Sequence, residues 1–150
     1  MLMDHPRLPH QTRTDAGLAA ALRVAVGRLA RRLRAQRPAT LSLGQSAVLY
    51  TLNRHGQMTP GALAEREKVQ PPSMTRIIAA LEEHGLIHRT KHPQDRRQQL
   101  VDLTDEGRSL VRMDQRRREA WLARQLQELT PEEKETLRRA TEILERLSQS

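Results

Sequence analysis

The 150-residue sequence contains no cysteine and no phenylalanine, and it has a single tyrosine and a single tryptophan. Without cysteine the chain can form no disulfide, no thiolate zinc site, no cysteine nucleophile and no thiol redox sensor. With so few aromatic rings it lacks the stacking platforms of single-stranded nucleic-acid binders. No apolar run approaches the roughly 18 residues of a membrane span, and no secretion signal is recognisable. We therefore expect a cytoplasmic protein with no membrane partner.

Positive charge is what the sequence has in excess. It contains 26 lysine and arginine residues against 18 aspartate and glutamate residues, for a formal net charge of +8. Such an excess suits a polyanionic partner, and guanidinium groups match phosphate oxygens and guanine edges well. Charge alone also fits a protein that is merely kept soluble. Combined with the scarcity of aromatic rings, it favours duplex DNA over single strands.

Apolar residues recur at spacings of three and four along most of the chain, which predicts a mainly α-helical protein. The first stripe predicts a long helix from Asp15 to about Gln36. Further helix starts are marked by capping residues or by proline at the first helical position, at Ser42, Thr59, Gln70, Thr104 and Thr130. The first three of these starts predict short helices, and the last two predict longer ones.

Between the fourth and fifth predicted helices the pattern changes to that of strands. Residues 86–91 and 100–103 predict two short strands, joined by a polar turn that contains Arg96 and Arg97. An arginine at a projecting tip can enter a narrow minor groove, and Asp95 is placed to hold the Arg97 side chain by a charge-assisted bond. Taken alone, the hairpin fits a solvated turn in a basic protein equally well.

Three short helices followed by a basic hairpin is the order of a winged helix-turn-helix, whose later helix lies in the major groove. The apolar stripe of that helix consists of Met74, Ile77, Ile78 and Leu81. Packing the stripe inward turns Ser73, Thr75 and Arg76 outward, toward base edges or phosphates. Taken alone, this segment is equally consistent with an ordinary amphipathic helix.

Several short motifs between Leu41 and Arg108 strengthen this interpretation when they are taken together. They are Leu43-Gly44-Gln45, Leu63-Ala64, Ser73-Met74-Thr75-Arg76, the run 81–87, Pro93-Gln94-Asp95-Arg96-Arg97 and Leu103-Thr104-Asp105-Glu106-Gly107. The wing motif followed at this distance by Leu103-Thr104 and Gly107 is the most specific part. In these motifs the chain resembles the MarR family (multiple antibiotic resistance regulators).

The resemblance implies a mainly α-helical winged helix-turn-helix with a two-stranded β-wing, flanked by N- and C-terminal helices that form a dimerisation region. The implied domains are a flexible arm at 1–14, a dimerisation helix at 15–37, the DNA-binding lobe at 38–108, and helices that complete the dimerisation region at 109–150. The implied DNA contacts are Ser73, Thr75, Arg76, Lys91, Asp95, Arg96 and Arg97, with Lys91 and Arg96 on phosphates.

The function implied is that of a sequence-specific double-stranded DNA-binding regulator, a repressor. It would act as a homodimer on a pseudo-palindromic operator, with half-sites roughly 10 base pairs apart. The resemblance also implies release from DNA by a small aromatic or anionic effector. The alternative from the residues themselves is a non-specific architectural DNA-binding protein, which would show no preferred half-site spacing.

Other functions find little support in the sequence. There is no glycine-rich phosphate loop and no supported catalytic constellation, so we expect neither an enzyme nor a cofactor. His84, His88 and His92 recur every four residues, but Gly85 interrupts the helix after the first, and we expect no metal site. The run Arg116-Arg117-Arg118 predicts a solvated helix face.

Overall fold

The computed structural model describes residues 10–149, and its contacts divide the chain into a unit ending at Gln36 and a unit starting at Arg37. In the first unit a 3-10 turn at His10–Arg13 precedes helix α1 (Asp15–Arg34). The hydroxyl of Thr14 accepts the N–H of Gly17 at 3.1 Å and starts α1. Residues 1–9 of the predicted arm lie outside the described residues, and residues 10–13 are more regular than predicted.

The second unit contains the remaining elements in the predicted order. They are α2 (Leu43–His55), α3 (Pro60–Glu67), α4 (Pro71–Glu83), β1 (Ile87–Lys91), β2 (Gln99–Leu103), α5 (Asp105–Gln127) and α6 (Pro131–Ser148). A helical chain with one two-stranded antiparallel sheet after the third short helix confirms the predicted winged helix-turn-helix fold.

Side-chain caps fix where the helices of this unit begin. Ser42 and Gln45 form a complete capping box, in which each side chain accepts the other's backbone N–H. Thr130 and Glu133 do the same at the start of α6. Because the first N–H groups of a helix have no intrahelical partner, these oxygens determine the starting residue, as the sequence predicts.

The wing is an antiparallel ladder in which Ile87 lies opposite Leu103 and Lys91 lies opposite Gln99. The other side of β2 is also paired, because Met58 and Val101 exchange two backbone hydrogen bonds of 3.0 and 2.8 Å. The segment between α2 and α3 thus fastens the base of the wing to the helices.

One apolar core holds α2, α3, α4, the wing and the start of α5 together. Its fully buried side chains include Val48, Leu52, Leu63, Met74, Ile78, Leu81, Val101, Leu103 and Val111. Gly107 in the first turn of α5 lies against the backbone that enters β1, where a Cβ would come within 2.1 Å of the Leu86 carbonyl oxygen. Only glycine permits this approach, which sets the direction in which α5 leaves the wing.

Helices α1 and α6 contain no buried residue. Large apolar side chains remain exposed on α6 at Leu137, Ile143, Leu144 and Leu147, and on α1 at Leu18, Val24, Val26 and Leu29. Across residues 10–149, no helix combines the length and the apolarity needed to cross a membrane.

Candidate nucleic-acid interface

Helix α4 turns one apolar side into the core and leaves the other side open. Met74, Ile78 and Leu81 are at most 1% exposed, and Ile77 is half-buried. The predicted inward stripe is therefore confirmed, with its edge at Ile77. Ser73, Thr75 and Arg76 are all exposed near the start of the helix.

The start of α4 has unused hydrogen-bonding capacity. Gln70 provides no side-chain cap, and Pro71 and Pro72 have no N–H, so the N–H of Ser73 is open to an outside acceptor. The hydroxyl of Thr75 already donates to the Pro71 carbonyl oxygen at 3.0 Å. In this geometry Thr75 can only accept a hydrogen bond, so Ser73 is better placed to donate to a phosphate oxygen.

The wing tip is shaped by Asp95. Its Oδ1 accepts the backbone N–H of Arg97 at 3.0 Å, and its carbonyl oxygen accepts the N–H of Gln98 at 3.0 Å. We expected the carboxylate to hold the Arg97 guanidinium, but it holds the backbone instead, because the side chain of an aspartate reaches the N–H two residues on. The side chains of Arg96 and Arg97 stay exposed.

Four cations at these two elements have no ion-pair partner within the described part of the chain. Among residues 10–149, the ion pairs do not include Arg76, Lys91, Arg96 or Arg97, and all four side chains are exposed. Unpaired exposed guanidinium and ammonium groups on one lobe create a positive potential that suits the phosphate backbone of a duplex.

An ion pair that the sequence analysis missed connects the wing with α4. Arg89 of β1 donates from Nε to Oε2 of Glu82 at 3.0 Å and from Nη1 to Oε1 of Gln99 at 3.4 Å. Strand alternation turns Arg89 to the same face as Ile87 and Lys91, but no local pattern shows which acid it meets. The bond fixes the wing relative to α4.

A buried polar cluster joins α2 to α5, and the sequence analysis missed it too. The Tyr50 hydroxyl donates to Oδ2 of Asp114 at 2.5 Å, and Nη2 of Arg118 lies 3.2 Å from the same oxygen. The Arg118 guanidinium also lies 4.4 Å from the centroid of the Tyr50 ring. Burial of the phenol, together with its bond to Asp114, raises the pKa of Tyr50 well above its ordinary value.

The cluster corrects one prediction for the arginine run of α5. Arg116 and Arg117 are exposed, as expected, but the Arg118 side chain is only 19% exposed and pairs with a buried carboxylate. Asp114 and Arg118 have the i, i+4 spacing of a helical ion pair, which was visible in the sequence. Their burial depends on α2, which the spacing does not reveal.

A groove beside the end of α2 collects further positive charge. It is lined by Tyr50, Thr51, Asn53, Arg54, His55, Arg66 and Gln115. Nη1 of Arg66 lies 3.2 Å from Nε2 of His55, and the nearby Glu67 carboxylate accepts the Thr51 hydroxyl. Within the part of the chain that is described, no three side chains that could bind a metal ion come together. Of the three histidines that recur every four residues, His92 uses its Nδ1 to accept the N–H of Gln94 at 3.1 Å.

Comparisons with known proteins agree with this architecture. The model of the MarR family matches residues 41–98. An uncharacterized HTH-type transcriptional regulator of Mycobacterium bovis is 47% identical over 132 residues, which cover 87% of this chain and 92% of that protein.

Two solved structures show the same fold. A transcriptional regulator protein of Pseudomonas aeruginosa has a TM-score of 0.81 at 33% identity, covering 91% of this chain and 96% of that chain. A mutant of S. aureus MepR, bound to an oligodeoxyribonucleotide, has a TM-score of 0.66 at 22% identity, covering 87% and 97%. The second likeness concerns the fold alone. From the family match and the Mycobacterium bovis relative together, this chain belongs to the MarR family of HTH-type transcriptional regulators.

Proposed function

We propose that the chain is a sequence-specific double-stranded DNA-binding repressor that acts as a homodimer on a pseudo-palindromic operator. The observation that carries the proposal is the pair of exposed basic elements on one lobe. The start of α4 offers Ser73, Thr75 and Arg76, and the wing offers Arg96 and Arg97. A duplex is the partner that presents a wide groove to a helix and a narrow groove to an arginine.

Helix α4 and the wing contact different parts of the duplex in this proposal. Arg76 is placed to reach a guanine edge or a phosphate from α4, and Ser73 to bind a phosphate through its hydroxyl and its N–H. Arg97 enters the minor groove, where Asp95 keeps the turn in shape without neutralising the guanidinium. Lys91 and Arg96 contact phosphates on either side of that entry.

Exposed apolar surface on α1 and α6 supports the homodimer. Leu144 and Leu147 of α6 are 40% and 60% exposed, and Leu18 and Leu29 of α1 are similarly open. Apolar side chains at helical spacing on one face require a covering surface, and a second copy of the chain supplies it. A two-fold dimer presents two lobes, and therefore reads an inverted repeat with half-sites about one helical turn apart. Occupying that repeat blocks access of other proteins to the promoter, which is repression.

We extend the proposal to release by a small anionic or aromatic effector. The groove lined by Arg54, His55 and Arg66 supports the anionic class, because no ion pair of the described chain neutralises either arginine. The effector would have to bind the DNA-free arrangement of the dimer better than the bound one. Titrating benzoate and inorganic phosphate into the protein–operator complex tests this extension, with Arg54→Ala as the variant that should lose the response.

The central test is selection from a pool of random duplexes at two salt concentrations. The wild type, Arg97→Ala and a matched control, Arg138→Ala on α6, are compared. We expect the wild type and the control to recover the same inverted repeat, and Arg97→Ala to lose it or bind it far more weakly. Tight binding without sequence preference that collapses with salt would indicate an architectural protein instead. A folded dimer that binds no duplex at moderate salt would refute DNA binding.

A further inference from the structure

The cluster of Tyr50, Asp114 and Arg118 contains none of the residues proposed to contact DNA, and it joins α2 to α5. Tyr50 belongs to α2, against which α3, α4 and β2 all pack. Asp114 and Arg118 belong to α5, which continues past the lobe toward α6. The bonds close a triangle: hydroxyl to carboxylate, carboxylate to guanidinium, and guanidinium to ring.

Burial makes this cluster an unusual way to join two helices. Asp114 is 3% exposed, and its second oxygen, Oδ1, has no hydrogen-bond partner among residues 10–149. The buried hydroxyl of Ser46 likewise finds no partner in the described part of the chain, and it lines the same small cavity as Asp114. Apolar side chains of similar volume would commonly hold two helices as firmly as a buried ion pair. Directional bonds add a defined angle and register between the helices, which apolar contacts do not impose.

The angle matters because α5 acts as a lever. The part beyond Asp114 reaches Gln127, which is about 20 Å of helix at 1.5 Å per residue. Tilting that length by about 10° about its contact with α2 moves its end by roughly 3.5 Å, close to the rise of one base pair, about 3.4 Å. A change too small to disturb the core is thus large enough to shift one lobe by one base pair along a duplex.

We propose that Tyr50, Asp114 and Arg118 are positioning residues that fix the angle between the winged lobe and the rest of α5, and so set the half-site spacing that the dimer accepts. This inference rests on the proposed function, since it presumes a dimer reading an inverted repeat. It assigns none of the three residues a contact with DNA.

The test uses the inverted repeat recovered by selection, rebuilt with its half-sites one and two base pairs closer and farther apart. The ratio of Kd values between the shifted and the best spacing is measured for the wild type, Tyr50→Phe and Arg118→Lys. The matched control is Thr51→Val, which removes a hydroxyl–carboxylate bond from the same helix, but one that leads to Glu67 of α3.

We expect the wild type to bind the best spacing at least about tenfold more tightly than the neighbouring spacings, and Thr51→Val to keep that ratio. In Tyr50→Phe the ratio should fall to about threefold or less, while binding to a single half-site changes less than about twofold. Arg118→Lys keeps the charge but loses the planar guanidinium that meets both the carboxylate and the ring, and its ratio should lie between those of the wild type and Tyr50→Phe.

Two other outcomes would contradict either the inference or the proposed function. A Tyr50→Phe protein that melts at a lower temperature but keeps the wild-type spacing ratio would show that the cluster is merely structural, and would overturn the inference. A wild type that prefers no spacing would instead overturn the proposed function. Because Tyr50→Phe removes a single oxygen atom, it should remain folded, and its circular dichroism is recorded at the temperature of the binding measurement.

Discussion

Nε of Arg89 in the wing lies 3.0 Å from Oε2 of Glu82 in α4, so the two elements proposed to enter the grooves are bonded to each other. The side chains are 31% and 45% exposed, so the pair contributes little to folding. Its structural effect is to hold the wing at one angle to the helix.

Glu82→Gln separates this coupling from simple electrostatics. The variant gains one unit of positive charge, which by itself would tighten DNA binding. We expect weaker operator binding instead, because the wing loses its anchor, and a change in unfolding free energy below about 1 kcal/mol. Glu135→Gln is the control: it also removes one negative charge, breaks two exposed ion pairs within α6, and should not weaken operator binding. Tighter binding by Glu82→Gln in fluorescence anisotropy would refute the coupling.

Arg96 and Arg97 are neighbours at the wing tip, yet we expect different consequences of their removal. Arg97→Ala should cost about 1–3 kcal/mol of binding and relax sequence preference under the wing, as loss of a groove-reading arginine does. Arg96→Ala should weaken binding to all duplexes alike and lower the salt slope by about one. Identical salt slopes and sequence preferences for the two variants would contradict the division of roles.

The phenol of Tyr50 should resist ionisation. Burial and the bond to Asp114 raise its pKa in the folded protein, so the stability it contributes is complete below the unfolded value of about 10 and is lost as pH rises above it. Because the chain has a single tyrosine, tyrosinate absorbance reports this residue alone. We expect a midpoint above 10 that moves back toward 10 in urea. Tyr50→Phe should lose less stability than the wild type at alkaline pH.

Gly107→Ala should be among the most destabilising single-methyl changes in the protein. The added Cβ would lie 2.1 Å from the Leu86 carbonyl oxygen, so the start of α5 must move away from the wing. A loss of about 2–4 kcal/mol fits overpacking against backbone. Gly61→Ala in α3 is the control, because nothing lies near its Cβ position, and it should be neutral or slightly stabilising. Equal urea midpoints for the two variants would contradict the close contact.

A charge in the apolar face of α6 tests the dimer. Leu144→Glu should shift the protein from dimer to monomer in sedimentation velocity, because the covering surface of the second copy would then bury a carboxylate. Arg138→Glu introduces the same charge at a strongly exposed position of α6 and should leave the association unchanged. If Leu144→Glu remains dimeric, α6 is not the interface.

The sequence predicts local features well because their causes are local. Ser42, Thr59, Thr104 and Thr130 cap helices as predicted, since a capping residue acts within three or four positions of itself. Gly85 after α4 and the change of period at Leu86 predict the start of the wing to within one residue of its observed start at Ile87. The outward face of α4 follows from helical geometry once the inward stripe is known.

Contacts between distant segments are what the sequence leaves undetermined. Tyr50 and Asp114 are 64 positions apart, and no periodicity relates them. The i, i+4 spacing of Arg118 and Asp114 is visible in the sequence, but the burial that separates Arg118 from its two arginine neighbours comes from α2. The sequence also leaves open which donor of Arg97 the Asp95 carboxylate accepts. Both the backbone N–H and the guanidinium are within its reach, and the geometry of the turn selects the N–H.

The double pairing of β2 has a consequence for the behaviour of the protein at high concentration. With β1 on one side of β2 and Met58 on the other, the outer edge of β1 is left as the open edge of the sheet within residues 10–149. Open edges recruit strands from other molecules, which leads to aggregation. This edge carries Lys91, which joins no ion pair among the described residues, so two copies that approach edge to edge repel each other. The same basic wing that suits a polyanion therefore also discourages self-assembly into extended sheets.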